Sequence, residues 1–340
     1  MARIAIIGLG LIGGSLGLAL KRAKIVDLEI AGYDEKGTSR ARKLGAIDRE
    51  ARTAAQAVEG AALTIIAVPI SQVRSVLEEI APALAEGAVV TDTASTKREV
   101  IAWADELLPE TVSFVGGHPI AGKEIAGIDA AEAELFQNRA WAVIPSVRAS
   151  ERAISAVENL VALVGARAVI VDAAEHDSYL AAVSHLPLLL SSALFSLASS
   201  STAWPELASL SGPGFRDTTR LASTPPELSH DIVLTNRENV LHWLDRLAEE
   251  LRRFRALVED GAKQEELFKA LATVQSTRDA FLRELPARQT GTGAADMLSA
   301  GERITAFLMG EFAVRRTKEI QEMLERSERA SERPRRGDRP

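Results

Sequence analysis

The 340-residue chain contains no cysteine. Disulfides, thiolate catalysis and cysteine-ligated metal or iron–sulfur centres are therefore excluded, and the absence suits a reducing, cytoplasmic setting. Positive net charge is missing too: 47 acidic residues outweigh 40 basic ones, leaving a formal charge of −7. Such a surface gives no general attraction for nucleic acid or anionic membrane, so an anionic ligand has to be held by a local arrangement. The apolar start MARIAIIGLGLIGGSLGLAL lacks an A-x-A-like cleavage site and runs into KRAK, which argues for a strand and a helix over a leader. No uninterrupted apolar run approaches transmembrane length, and no repeat of about 20–50 residues recurs. No histidine–carboxylate spacing suggests a metal site.

What is present is ordinary for a soluble globular protein, with 46% hydrophobic and 26% charged residues and length enough for two domains. Seven short apolar runs are predicted as buried strands: RIAIIGL (3–9), LEIAGYD (28–34), ALTIIAVP (62–69), AVVTD (88–92), VSFVGG (112–117), AWAVIP (140–145) and ARAVIVD (166–172). Helical patterns separate most of them. Strand–helix alternation with continuously apolar strands predicts an α/β architecture, a Rossmann-type parallel sheet covered on both faces, over residues 1–172. Beyond Val171 the strand signals stop. Residues 173–325 are predicted as an all-α substrate and dimerisation domain, broken at 211–214, 224–226 and 289–293. Within it AVSHLPLLLSSALFSLA (182–198) is too apolar to face water, and is expected in the domain centre or a dimer interface. The mixed-charge stretch 326–340 is predicted as a disordered tail.

Gly8-Leu9-Gly10-Leu11-Ile12-Gly13 satisfies G-x-G-x-x-G, with a strand before it and a helix after it. Glycines there permit a tight turn and close approach of backbone to a pyrophosphate, which the helix N-terminus then faces. Asp34, about twenty residues further on, stands where the ribose hydroxyls of NAD need an acceptor. A carboxylate repels a 2′-phosphate, so NAD is expected over NADP; Arg40 and Arg42 are the nearby groups able to serve the alternative. Ligands of open α/β sheets sit beyond the carboxyl ends of the strands. Val68-Pro69 ends the third predicted strand beside the expected cofactor. Ser95 and Thr96, in the DTASTK segment, follow the fourth, where helix capping competes with function. The fifth delivers GGHPIAG, in which His118 lies among glycines. An alcohol losing hydride needs a group to take its hydroxyl proton, and histidine ionises in the right range.

With GLGLIGGSL, AGYD, AVP, DTASTK, HPIAG, AVSHLP and GFRDTTRLAS in this order, the chain resembles the prephenate/arogenate dehydrogenase family of tyrosine biosynthesis over roughly residues 3–285. The resemblance implies a Rossmann domain followed by a helical domain that dimerises. It implies NAD-dependent oxidative decarboxylation of prephenate, with arogenate as the alternative substrate. It further implies that His118 meets the ring hydroxyl, that Ser95 assists near the nicotinamide, and that Arg220 binds the side-chain carboxylate. Ser184 and His185 are implied to line the substrate pocket, and Glu124 to contribute to gating.

The chain also departs from the family pattern. Leu188 stands where many members carry a second histidine, and Ser229 where a tryptophan is common; both positions lie near the substrate's side-chain end in relatives. The residues after about 290 are too few for a regulatory ACT domain, and the fingerprint starts too early for a fused chorismate mutase before it. His176 is readable as a helix-start or functional residue, and His230 and His242 as structural. A β-hydroxyacid-type dehydrogenase is disfavoured because YLAAVSHLPLLLSSAL contains no lysine. A silent NAD-binding sensor or scaffold is the alternative from another class, and it would not need His118, Ser95 and Arg220 together.

Overall fold

The computed structural model describes residues 2–123, 125–288 and 294–309. Eight strands form one sheet: β1 (Ala2–Ile7), β2 (Leu28–Tyr33), β3 (Arg49–Glu50), β4 (Leu63–Ile66), β5 (Val89–Asp92), β6 (Ser113–Pro119), β7 (Ala140–Pro145) and β8 (Arg167–Ile170). Their order is β3-β2-β1-β4-β5-β6-β7-β8. Seven coincide with predicted runs, and the two-residue β3 is too short to leave a periodic signal.

The predicted parallel sheet and helical region are both present, with one strand pair departing from the parallel pattern. The sheet is not wholly parallel, because β7 runs antiparallel to β6, with His118 opposite Ala142. Among the described residues the chain between them holds only a 3-10 turn, Ile128–Ala130. A parallel return would need a full crossover, whereas an antiparallel one needs none. β8 is again parallel to β7, and here helix α6 (Glu151–Leu163) supplies the crossover.

Strand alternation divides the core into two layers. Ile4 and Ile6 face a layer with Leu16 and Leu20 of α1 (Leu11–Arg22) and Val157 and Leu160 of α6. Ala5 and Ile7 face the other, with α3 (Ala54–Val58), α4 (Ile70–Ile80) and α5 (Arg98–Leu107). A five-residue α2 (Ser39–Lys43) completes the set.

The remaining elements are helical: α7 (Ala173–Leu180), α8 (Leu186–Ser199), α9 (Trp204–Ser209), α10 (Pro213–Thr219), α11 (Pro226–Thr235), α12 (Arg237–Glu259), α13 (Gln264–Arg288) and α14 (Ala294–Met309). Asp172 caps α7 by accepting from Ala174 N at 2.8 Å. A π-helical turn, Ala181–His185, joins α7 to α8. Pro187 explains the widening: it has no N–H to offer the carbonyl one turn back. The last described helix, α14, returns to the sheet domain. Ala300 and Ile304 enter its core, and Arg303 Nε donates to Asn159 Oδ1 at 2.6 Å. The predicted break at 289–293 and tail at 326–340 lie outside the described residues.

The apolar run 182–198 does not lie in a domain centre. Within α8 the buried residues are Leu188 and Ser191, while Leu190, Phe195 and Leu197 are exposed. By length and composition Ala173–Ser199 could cross a bilayer, which reading the run alone did not anticipate. Its polar members His176, Asp177 and His185 are instead buried.

Candidate active site

Strands β1, β4, β5 and β6 are mutually parallel, so their carboxyl ends share one edge, where ligands of such sheets bind. At the end of β1 the glycine loop is closed as tightly as backbone allows. Gly8 has φ +89°, and a Cβ on it would lie 2.4 Å from Ala67 O. A Cβ on Gly13 would lie 1.9 Å from Gly8 O, whereas one on Gly10 would meet nothing within 4 Å. The loop is thus packed at its ends and open in the middle. Gly10 precedes α1 without a side-chain cap, leaving the helix N-terminus available to an anion. Asp34 fixes the loop: Oδ2 accepts from Leu9 N at 2.7 Å and Oδ1 from Lys36 N at 2.8 Å. Leu11 and Ile12 point into the core layer beneath, and Val68 borders Gly8 with Pro69 exposed beyond it. Arg40 pairs with Asp129 and Arg42 with Glu50, so carboxylates engage both arginines that a 2′-phosphate would need. These residues fit a dinucleotide carrying a free ribose hydroxyl.

Two strands further along, Asp92 and Lys97 form an ion pair with both side chains wholly buried. Asp92 also accepts from Ala94 N at 2.9 Å and Gly117 N at 3.1 Å. Burial pulls the Lys97 ammonium below its ordinary value, and Asp92 opposes that shift. Gly117, just before His118, serves this packing, since a Cβ on it would lie 2.5 Å from Asp92 O. Gly117 lets β6 press against β5, and Gly116 leaves room for the Lys97 side chain and the Ile144 carbonyl.

His118 is buried on β6, and its Nδ1 lies 2.9 Å from His176 Nε2 on α7. His176 Nδ1 lies 2.8 Å from Asp177 Oδ1. The Asp177 carboxylate accepts from Lys97 N at 2.8 Å and Arg98 N at 2.9 Å, capping α5 from another part of the chain. Its backbone carbonyl accepts from Asn236 Nδ2 at 2.7 Å, and the same amide lies 3.1 Å from His185 Nδ1. An amide nitrogen only donates, so His185 Nδ1 is the acceptor and its proton sits on Nε2. That Nε2 is buried with no partner among the described residues. Burial pushes the His185 imidazole down to about 4, with Asp177 pulling the other way and His176 adding to the depression. Burial, then His176, Lys97 and His185, hold His118 well below the ordinary histidine value. That shift favours the neutral imidazole, the form able to accept a proton.

The other predicted residues are distributed more loosely. Ser95 is half-buried in the loop between β5 and α5 and does not cap the helix; Thr96 bonds Thr235 at 2.8 Å. Ser184 and His185 share the π turn, the first exposed and the second buried. Arg220 is exposed and opens a 3-10 turn, Arg220–Ser223, packed on α8. Glu124 lies outside the described residues. Leu188 is buried, and Ser229 bonds the carbonyl of Pro225. His230 and His242 are exposed. Sequence reasoning missed Asp177 and Asn236. HD at 176–177, one turn past a helix start, was a faint signal for the first; nothing marked Asn236.

A glycine cradle at one strand end and a buried, neutral histidine at another define a dinucleotide-dependent dehydrogenase with a Rossmann sheet. Comparison with known proteins narrows the class. The family model described as prephenate dehydrogenase, nucleotide-binding domain, matches residues 16–170, and that for the prephenate dehydrogenase dimerization domain matches 172–273. Prephenate dehydrogenase of Bacillus subtilis is 35% identical over 294 residues, covering 85% of this chain and 77% of that protein. The chain belongs to the prephenate dehydrogenase family. Among solved structures, prephenate dehydrogenase from Aquifex aeolicus in complex with hydroxyphenyl propionate and NAD+ has a TM-score of 0.76 at 29% identity, covering 83% of this chain and 98% of that one. Synechocystis arogenate dehydrogenase has a TM-score of 0.71 at 27% identity, covering 82% and 99%.

Proposed function

We propose that this chain oxidatively decarboxylates prephenate with NAD, giving 4-hydroxyphenylpyruvate. The observation that carries the reading is the buried His118 at the same sheet edge as the glycine cradle. NAD, when bound, supplies the acceptor for the hydride leaving the carbinol carbon. As hydride leaves, His118 takes the hydroxyl proton, and the ring becomes a dienone. The bond from ring to carboxylate then breaks, its electron pair enters the ring, carbon dioxide departs, and the phenolate takes up a proton. Aromaticity gained at that step makes the sequence irreversible, so the protein's task is positioning and one proton transfer.

In this reading Gly8, Gly10, Gly13 and Asp34 hold the dinucleotide, with Leu9, Val68 and Pro69 beside it. Ser95 supports the reacting hydroxyl, Arg220 holds the side-chain carboxylate through a planar fork suited to it, and Ser184 and His185 line the pocket. Glu124 contributes to gating. A second copy covers the exposed apolar faces of α8 and α13, which is how the helical region forms a homodimer. The enzyme works in the cytoplasm.

Arogenate is the second reading, and the buried Leu188 favours it. An imidazole at that position can donate to prephenate's keto oxygen; a leucine cannot, and the ammonium of arogenate needs no such donor. Parallel assays with both substrates, each with NAD and NADP, decide the matter. Reduced nicotinamide is expected with prephenate and NAD. Turnover only with arogenate supports the second reading, and silence with both removes the enzyme reading altogether.

A further inference from the structure

With His176 neutral, the hydrogen bonds from Asp177 to His118 run in one direction. Both Asp177 oxygens already accept backbone N–H bonds, so the carboxylate meets His176 as an acceptor and His176 Nδ1 donates. A neutral imidazole that donates from Nδ1 offers a lone pair at Nε2. That lone pair lies 2.9 Å from His118 Nδ1, so His118 donates there and its own lone pair is left on Nε2. Were the ring of His118 protonated on Nε2 instead, two lone pairs would face each other in a buried contact. All three groups are almost wholly removed from water, where an unmatched pair is most costly.

We propose that His176, oriented by Asp177, is a positioning residue that locks His118 in the Nδ1–H tautomer and so aims a lone pair, not a proton, at the substrate hydroxyl. The inference deepens the proposed dehydrogenase reading, in which His118 is the base. It also gives Asp177 a double task. Its side chain makes His118 an acceptor at Nε2, and its carbonyl, through Asn236, makes His185 a donor at Nε2. The two imidazoles thereby offer opposite hydrogen-bonding character. When the proton arrives on His118, the resulting imidazolium keeps its Nδ1–H bond to His176, with the Asp177 carboxylate next in line. The arrangement crosses the molecule, with the base on the sheet and its orienting pair on the first helix beyond it.

Two substitutions separate positioning from packing. Gln at position 176 places an amide oxygen near the site of the lost Nε2, so His176→Gln keeps an acceptor for His118. His176→Leu keeps bulk and removes the acceptor. With saturating NAD, His176→Leu is expected to lower kcat by about 10²–10⁴-fold with KM little changed, the range for a base held in the wrong tautomer. His176→Gln is expected to stay within about 10-fold of the parent. Equal losses in both variants, or a loss in KM alone, would overturn the proposal. A readout independent of activity is the long-range ¹H–¹⁵N spectrum of the full-length protein labelled with [¹⁵N]histidine. Unsubstituted protein is expected to carry the His118 proton on Nδ1, and finding it on Nε2 refutes the proposal whatever the variants do. If His118→Gln leaves the rate intact while the spectrum shows Nδ1–H, the base assignment fails and the tautomer lock stands.

Discussion

The sheet domain closes its own core; the helical region does not. Strand residues such as Ile4, Ile6, Ile65 and Val90 are fully buried between two helix layers, and even the late α14 is drawn in to finish one of them. In α8 and α13, by contrast, Leu197 is 74% exposed and Phe268 72%. A strand of a doubly covered sheet has neighbours on both sides and both faces, whereas an amphipathic helix has one apolar stripe that must find a partner. One half of the molecule is therefore a self-contained frame, and the other leaves apolar helix faces exposed, which in the proposed dimer a second copy covers. The site lies where they join. The frame carries the dinucleotide cradle and His118, and the helical region carries His176 and Asp177, the pair proposed to orient His118.

The largest expected effect is on association. Leu197→Glu would bury a charge in each copy of the proposed dimer, and each unpaired buried charge costs several kcal/mol. Self-association measured by sedimentation should weaken by more than about 10³-fold while dinucleotide affinity holds. An unchanged dimer would place the interface elsewhere. Next comes His118→Asn, which should depress kcat by about 10²–10⁴-fold without altering NAD affinity. A near-normal rate would move the chemistry off the sheet.

Acid stability sharpens the contrast at the junction. His185 binds its proton at about 4 in the folded chain and near the ordinary 6.5 when unfolded, so between those values the unfolded state holds more protons. Stability should therefore fall as pH drops from 6.5 towards 4, by about 3 kcal/mol from this group, with His118 adding in the same direction. Denaturant titrations at several pH values should show that slope, reduced in His185→Gln; an equal slope in both would assign acid sensitivity to other groups. A smaller change is expected from Arg220→Ala, a rise in KM of about 10–100-fold with kcat largely kept, as for a lost charged hydrogen bond. If KM does not move, the substrate carboxylate is held by another residue.

Much of this was legible in the sequence because it is local. The run RIAII into G-x-G-x-x-G states a strand, a turn and a helix within twenty residues, and the alternation of apolar runs states the sheet. Strand direction was less legible: β7 needed knowledge that, among the described residues, no crossover helix intervenes after β6. The site was legible where one residue carries the chemistry, as with His118 in HPIAG. It was not legible where chemistry depends on contact across the chain. Asp177 looks like an exposed helix residue in AAEHDSY, yet it caps a helix 79 positions earlier and orients a histidine. Asn236 looks like a helix break and feeds His185 across 51 positions. Hydrogen-bond direction, which decides what each imidazole can do, has no periodic trace in a sequence.

If base and orienting pair act as one unit across the two regions, a double-substitution cycle in kcat shows it most directly. His118→Gln and His176→Leu should each lower the rate, and the double variant should be no slower than His118→Gln alone, because nothing remains for His176 to orient. Losses that multiply would mean that the two residues contribute separately, and the account of a shared site would be wrong.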